Sequence, residues 1–282
     1  MQKVVIHKAG GYDRLIVERA ELPRAAAEEV LIEVRATGVN FADTIIRMGL
    51  YASAKEFVGW PITPGFEVAG KVLSVGAGVD DLAVGDEVCA VTRFGGYASH
   101  VVVRRPYVFR KPAGLEFAQA AAIPAVFLTA WFALLELAHP RRGQKVLVHS
   151  AAGGVGGYLV QLSKILGCEV VAVVGGAHKV ATAKAHGADH VIDKSSTELW
   201  PAAQRLAPQG YDVILDANGV STLRQSYAHL RRAGKLVIYG FHSMMPKKGG
   251  VPNWPKLAID YLRTPRYNPL DLTNDSKSIL AF

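Results

Sequence analysis

Residues 145–167 read KVLVHSAAGGVGGYLVQLSKILG, and this stretch decides the fold. β-prone residues from Val146 to His149 run into a small-residue turn, Ser150 to Gly157. A pattern follows in which Leu159, Leu162, Ile165 and Leu166 share one helical face. The reading is strand, tight turn, helix. Within the turn, Ala151-x-Gly153-x-x-Gly156 is the dinucleotide-binding fingerprint with alanine at its first glycine. Gly153 leaves no side chain where a pyrophosphate would touch the backbone, Gly156 lets the helix pack close to the strand, and the helix N-terminus offers N–H groups to an anion. A glycine triplet alone is a weak signal, so its context matters.

After the helix, Glu169 to Val174 read as a second strand ending at Gly175-Gly176, the region where the adenosine ribose is usually read. An NAD protein normally carries an acidic residue there. This chain has Gly175-Gly176-Ala177-His178-Lys179 instead. Glycine makes room for a 2′-phosphate and Lys179 supplies a charge for it, which favours NADP(H). The alternative, that Lys179 is a solvated lysine at a helix start, stays open at this point.

With 282 residues, half of them apolar, the chain is long enough for two domains with a sizeable core. Its two cysteines, Cys89 and Cys168, cannot build a disulfide framework or a four-cysteine zinc site. They suit a reducing compartment. The opening MQKVVIHKAGGYDRL has neither the apolar core of a signal peptide nor a transit-peptide pattern, so the cytoplasm is the expected location. Residues 120–135 carry no charge, but Pro124 interrupts them and they directly precede the nucleotide strand. A buried helix is expected there rather than a membrane span. The net charge of +8 is spread over short clusters, without the basic run and interleaved aromatics of a nucleic-acid surface.

Residues 1 to about 115 read as short strands separated by Gly, Pro and Asp, with a short helix pattern from Asn40 to Gly49. This spacing suggests a small, irregular barrel. From about 117 helices alternate with strands near 146, 170, 190, 213 and 236, which predicts a doubly wound parallel sheet. The fold class is therefore α/β, with a β-rich domain over 1–118 and a nucleotide-binding domain over 119–282.

The segments GVNFADTIIRMGLY (38–51), PGFEVAGKVLSVGAGV (64–79), GDEV (85–88), GGYASHVVV (95–103), IPAVFLTAWFAL and VLVHSAAGGVG occur in an order that resembles the medium-chain dehydrogenase/reductase superfamily. Within it the chain is most similar to the zinc-free quinone oxidoreductase branch, the zeta-crystallin-like enzymes and their synaptic-vesicle membrane protein relatives. The resemblance implies a GroES-like catalytic domain, a Rossmann domain, and an active site in the cleft between them. Zinc-dependent members have a cysteine where this chain has Asn40 and a histidine where it has Phe66, so no metal is expected.

The resemblance also assigns residues. Asn40 and Tyr51 line the nicotinamide and substrate end, with Tyr51 donating a hydrogen bond to a developing oxyanion. The plainer readings, Asn40 as a helix cap and Tyr51 as a loop tyrosine packed on Pro61 or Pro64, remain open. Thr129 is assigned to the nicotinamide region. Ala151, Ala152, Gly153, Gly154, Val155 and Gly156 form the pyrophosphate turn, and Gly175 with Lys179 receives the 2′-phosphate. Lys194 stands where many members have a tyrosine, keeping a cation and losing the ring. Asn218 sits beside the cofactor, and Gly240-Phe241 approach the nicotinamide by backbone.

The implied activity is NADPH-dependent reduction of a quinone or an α,β-unsaturated carbonyl compound. An enoyl reductase, or a non-enzymatic NADPH-binding protein associated with membranes or RNA, is the alternative. Ser278 to Phe282 match the sixth strand, through which members of the branch commonly form homodimers. Family members continue past that strand, so the C-terminal part of the pattern is expected to be missing.

Overall fold

A computed structural model of the chain describes residues 1–246 and 250–282. The chain divides into two compact units, Met1–Val126 with Lys247–Val251, and Phe127–Pro246 with Pro252–Phe282.

The first unit opens with an antiparallel ribbon of β1 (Gln2–Val5) and β2 (Ile16–Arg19). It continues through β3 (Glu29–Thr37), α1 (Phe41–Arg47), α2 (Ala52–Phe57), β4 (Glu67–Val75), β5 (Glu87–Val91), β6 (His100–Arg104), β7 (Val108–Arg110) and α3 (Phe117–Ala121). Strands β6-β3-β4-β5-β7 form one antiparallel sheet. Alternation along β3 and β4 sends Val30, Ile32, Val68 and Val72 into a single core with Val88 and Val103. Register shifts in the β3–β4 pairing, between Leu31 and Ile32 and again between Val34 and Ala36, bend this sheet.

The uncharged run does not form one buried helix. It breaks after α3, and Pro124, which has no N–H to donate, opens α4 (Pro124–Trp131). A π-helical turn, Phe132–Ala138, follows. Ala130, Ala133 and Leu134 are buried, whereas Leu128, Trp131 and Phe132 are exposed. Among the described residues no helix is long and apolar enough to cross a membrane.

The second unit alternates β8 (Lys145–Val148), α5 (Gly154–Ile165), β9 (Glu169–Val174), α6 (Val180–Ala185), β10 (His190–Asp193), α7 (Leu199–Leu206), β11 (Tyr211–Asp216), α8 (Leu223–Ala228) and β12 (Leu230–Ile238). It then runs through α9 (Trp254–Arg263) and α10 (Pro269–Asp275) to β13 (Ser278–Ala281). All six strands are parallel, in the order β10-β9-β8-β11-β12-β13. This is the doubly wound Rossmann order, in which a dinucleotide binds where the winding reverses, next to β8. Val146, Val148, Val170 and Ala172 face one helical layer; Leu147, Val171, Val173 and Ile214 face the other. Strands covered on both sides read as continuous Val/Ile/Leu runs, and these do.

Candidate functional site

In the second unit, parallel strands bring the C-terminal ends of β8 to β12 to one edge. After Val148 the chain passes through Ser150, which adopts the left-handed region (φ 54°), and then buried Ala151. Ala152 is half-buried, and Gly153 caps α5 without any side-chain hydrogen bond. Gly153 and Gly154 are exposed. The first-turn N–H groups of α5, where Val155 stands, are therefore left for an anion. Gly156 is required by packing, because a Cβ there would lie 2.2 Å from the Ser150 carbonyl oxygen.

At the end of β9 a Cβ on Gly175 would meet only the Lys194 Cε, at 3.7 Å. Lys179 stands in the turn Ala177–Lys179 before α6, and Lys194 directly follows β10. Both lysines are exposed and neither has a carboxylate partner among the described residues. The one nearby acid, Asp193, is turned to Ser195, whose N–H and hydroxyl donate to it at 2.9 and 2.7 Å. Those bonds hold its carboxyl below the usual range.

The loops after β11 and β12 are joined by backbone. His242 N–H donates to Ala217 O and Ser243 N–H to Asn218 O, at 3.1 and 2.9 Å. A Cβ on Gly240 would lie 2.9 Å from the Ala217 oxygen, and Phe241 is exposed at 40%. Asp216, fully buried, shapes the first loop. Its carboxylate accepts from the N–H groups of Asn218 and Gly219 and the hydroxyls of Thr222 and Ser226. Asn218 Oδ1 accepts from Ser150 Oγ at 3.2 Å, while its buried Nδ2 has no partner among the described residues. Thr129, half-buried on α4, precedes Ala130, which packs in the same cluster as Val148, Ala151 and Leu159.

These features suit a bound dinucleotide. An uncapped helix end can take its pyrophosphate, an open glycine beside two unpaired lysines its extra phosphate, and an orphaned amide donor one of its acceptors.

His149, fully buried directly after β8, is half satisfied. Its Nε2 faces Ser226 Oγ at 3.1 Å, and its Nδ1 has no partner among the described residues. Burial holds its pKa down, keeping the ring neutral.

In the first unit, Asn40 precedes α1, and its N–H donates to Asp43 at 2.8 Å. Its amide is turned elsewhere, donating from Nδ2 to Glu67 Oε1 at 2.7 Å. Glu67 is only 1% exposed, and its other oxygen accepts the Ala125 N–H at 2.8 Å. A Cβ at Gly38 would lie 2.2 Å from Glu67 Oε1, so glycine is needed there. Asp43, also buried, accepts from Gly65 N–H and from the Tyr97 hydroxyl. Burial pushes both carboxyls upward.

Tyr51 packs against the cluster of Ile6, Ile46, Ala54 and Ile62. Its ring stands edge-on to Phe66 and Phe94, with centroids 5.8 and 6.5 Å away. Burial and the Asp43 charge raise the phenol pKa, so it stays protonated and able to donate. Neither Glu67 nor Asp43 is singled out by sequence reasoning. The signal available was an acid beside an apolar run, Glu67 before Val68-Ala69. Among the described residues, no group of three His, Cys, Asp or Glu is placed to hold a metal ion.

Comparison with known proteins agrees with this architecture. Residues 26–113 match the alcohol dehydrogenase GroES-like domain, and residues 154–263 match the zinc-binding dehydrogenase family. The chain is 34% identical over 283 residues to the human synaptic vesicle membrane protein VAT-1 homolog, covering 99% of this chain and 70% of that protein. It is 33% identical over 280 residues to the zebrafish (Danio rerio) homolog, covering 99% of this chain and 57% of the homolog. The chain thus spans less than two thirds of that relative's length. The Escherichia coli quinone oxidoreductase complexed with NADPH superposes with a TM-score of 0.83 at 29% identity, covering 100% of this chain and 81% of that one. The CurK enoyl reductase gives 0.82 at 30% identity, covering 100% and 80%.

Proposed function

This chain belongs to the zinc-free quinone oxidoreductase branch of the medium-chain dehydrogenase/reductase superfamily, and from that premise we propose that it reduces a quinone or an α,β-unsaturated carbonyl compound with NADPH. The observation that carries the reading is the end of β9, where an open glycine and two unpaired lysines stand in place of an acidic residue. When bound, NADPH supplies the hydride.

The chain's own residues bind and orient. Ala151 to Gly156 would cradle the pyrophosphate, Lys179 and Lys194 would hold the 2′-phosphate, for which Gly175 leaves room, and Asn218 would offer its Nδ2, which has no partner among the described residues. Gly240, Phe241 and Thr129 serve the nicotinamide end. Hydride addition to a conjugated acceptor gathers negative charge on its oxygen, and the protonated Tyr51 donates a hydrogen bond there. Glu67 fixes the Asn40 amide, so that Asn40 presents its Oδ1 in one orientation. The proton that completes the product comes from solvent.

A second reading keeps the hydride chemistry and changes the acceptor to an acyl thioester. It is favoured by the likeness to the CurK enoyl reductase. We further propose a cytoplasmic homodimer through β13, the last strand of its sheet, whose outer edge has no partner strand among the described residues. The test of function is NADPH oxidation, followed by absorbance, with a panel of quinones, enones and an enoyl thioester. Turnover of a quinone or enone supports the first reading and turnover of the thioester alone the second. Binding without any turnover would leave a non-enzymatic NADPH-binding protein.

A further inference from the structure

Several arginines are paired with acids, among them Arg105 with Asp81, Arg110 with Asp86 and Arg231 with Asp212. Arg224, Arg263 and Arg266 are different. They line one depression of about 750 Å³, together with Leu262, Thr264 and Pro265, and none of the three has a carboxylate partner among the described residues. Arg224 lies in the first turn of α8, Arg263 ends α9, and Arg266 lies in the connection to α10.

The connection is held from both sides. Thr264 Oγ1 donates to Asp260 O at 3.0 Å, and the Tyr267 hydroxyl donates to Leu223 O at 3.2 Å, next to Arg224. The Tyr267 ring also lies against Tyr227, with centroids 5.1 Å apart. Asn268 caps α10 by accepting from Leu270 N–H. Three like charges thus line one hollow with no carboxylate ion-paired to any of them among the described residues.

We propose that this hollow binds a soluble organic phosphate carrying at least two phosphate charges. The planar guanidinium forks match phosphate oxygens in pairs, and three of them match a diphosphate better than a single phosphate. The wall of Leu262, 74% exposed, and Pro265 offers apolar surface for the organic portion. None of these residues belongs to the NADP(H) set. The site is therefore an addition to the proposed reductase, and its test rests on that reading only in using NADPH to fill the dinucleotide site and to report folding.

The test is calorimetric titration of the full chain, saturated with NADPH, with inorganic pyrophosphate and then with ADP. The expected result is saturable pyrophosphate binding that weakens about tenfold or more in the double variant Arg263→Gln/Arg266→Gln, while NADPH affinity is unchanged. Unchanged NADPH affinity also reports that the variant is folded. The pair Arg141→Gln/Arg142→Gln, elsewhere on the same unit, should leave pyrophosphate binding intact. ADP should bind more tightly than pyrophosphate through Leu262 and Pro265. Equal pyrophosphate binding by wild type and the Arg263/Arg266 variant would overturn the proposal, and so would equal loss in the Arg141/Arg142 variant. ADP no tighter than pyrophosphate would remove the organic part of the ligand.

Discussion

Glu67 illustrates what a single residue decides in this protein. Its carboxylate holds the Asn40 amide and the Ala125 N–H, so truncation to alanine removes the acceptor of two part-buried hydrogen bonds. Glu67→Ala should lower stability by about 2–4 kcal/mol, read as a fall in denaturation midpoint. The carboxyl also gives a pH signature. Burial raises its folded pKa above the ordinary glutamate value, so the folded state holds its proton more tightly than the unfolded chain does. Its contribution to stability is therefore greatest at low pH and declines as pH rises from the unfolded value through the folded one. Glu67→Gln cannot ionise, so the melting temperature of this variant should decline less across that window. An unchanged slope would exclude Glu67 as the source.

Tyr51 is the corresponding test of chemistry. If its hydroxyl steadies the acceptor oxygen, Tyr51→Phe should lower kcat by about 10²-fold with little change in KM. A raised KM at unchanged kcat would make it a packing residue. Asn40 and Tyr51 were singled out through the family resemblance and the phosphate turn through its glycine spacing, all within local motifs. Glu67 and Asp43 were not. Their burial depends on partners such as Ala125 and Tyr97, distant in sequence, and nothing in an isolated Phe-Glu-Val reveals which acid will be enclosed.

Among the elements, the strand–turn–helix of β8 and α5 was the most legible, since its apolar strand run and glycine spacing agree with the structure, although Ile165, grouped with the buried helical face, is 79% exposed. The close approach at Gly156 makes it testable. A methyl group there would meet the Ser150 oxygen at 2.2 Å, so Gly156→Ala should cost about 1–3 kcal/mol and weaken NADPH binding by distorting the turn. Retained stability and affinity would mean that the turn yields easily. The uncharged run from Ala120 was read less well. Hydropathy alone made it one buried helix, whereas Pro124 divides it and the π-helical turn leaves Trp131 and Phe132 exposed. β7, three residues long, is too short to display alternation in the sequence.

For the whole molecule, parallel strand order converts five separate sequence signals into one edge. The fingerprint after β8, the glycine after β9, Lys194 after β10, Asn218 after β11 and Gly240-Phe241 after β12 are far apart in the chain, yet the sheet aligns their strand ends. Ligand linkage follows from that. At about a hundredfold excess over its Kd, NADPH should add about 2.7 kcal/mol to the stability of the folded state, seen as a rise in melting temperature.

The central claim is that the β9 edge reads a phosphate. It is tested most directly by fluorescence titration of wild type and Lys179→Glu with NADPH and NADH. The account predicts tighter binding of NADPH by the wild type, and a loss of NADPH affinity in the variant much larger than any loss for NADH. Equal affinity of the wild type for the two nucleotides, or equal losses in the variant, would contradict it.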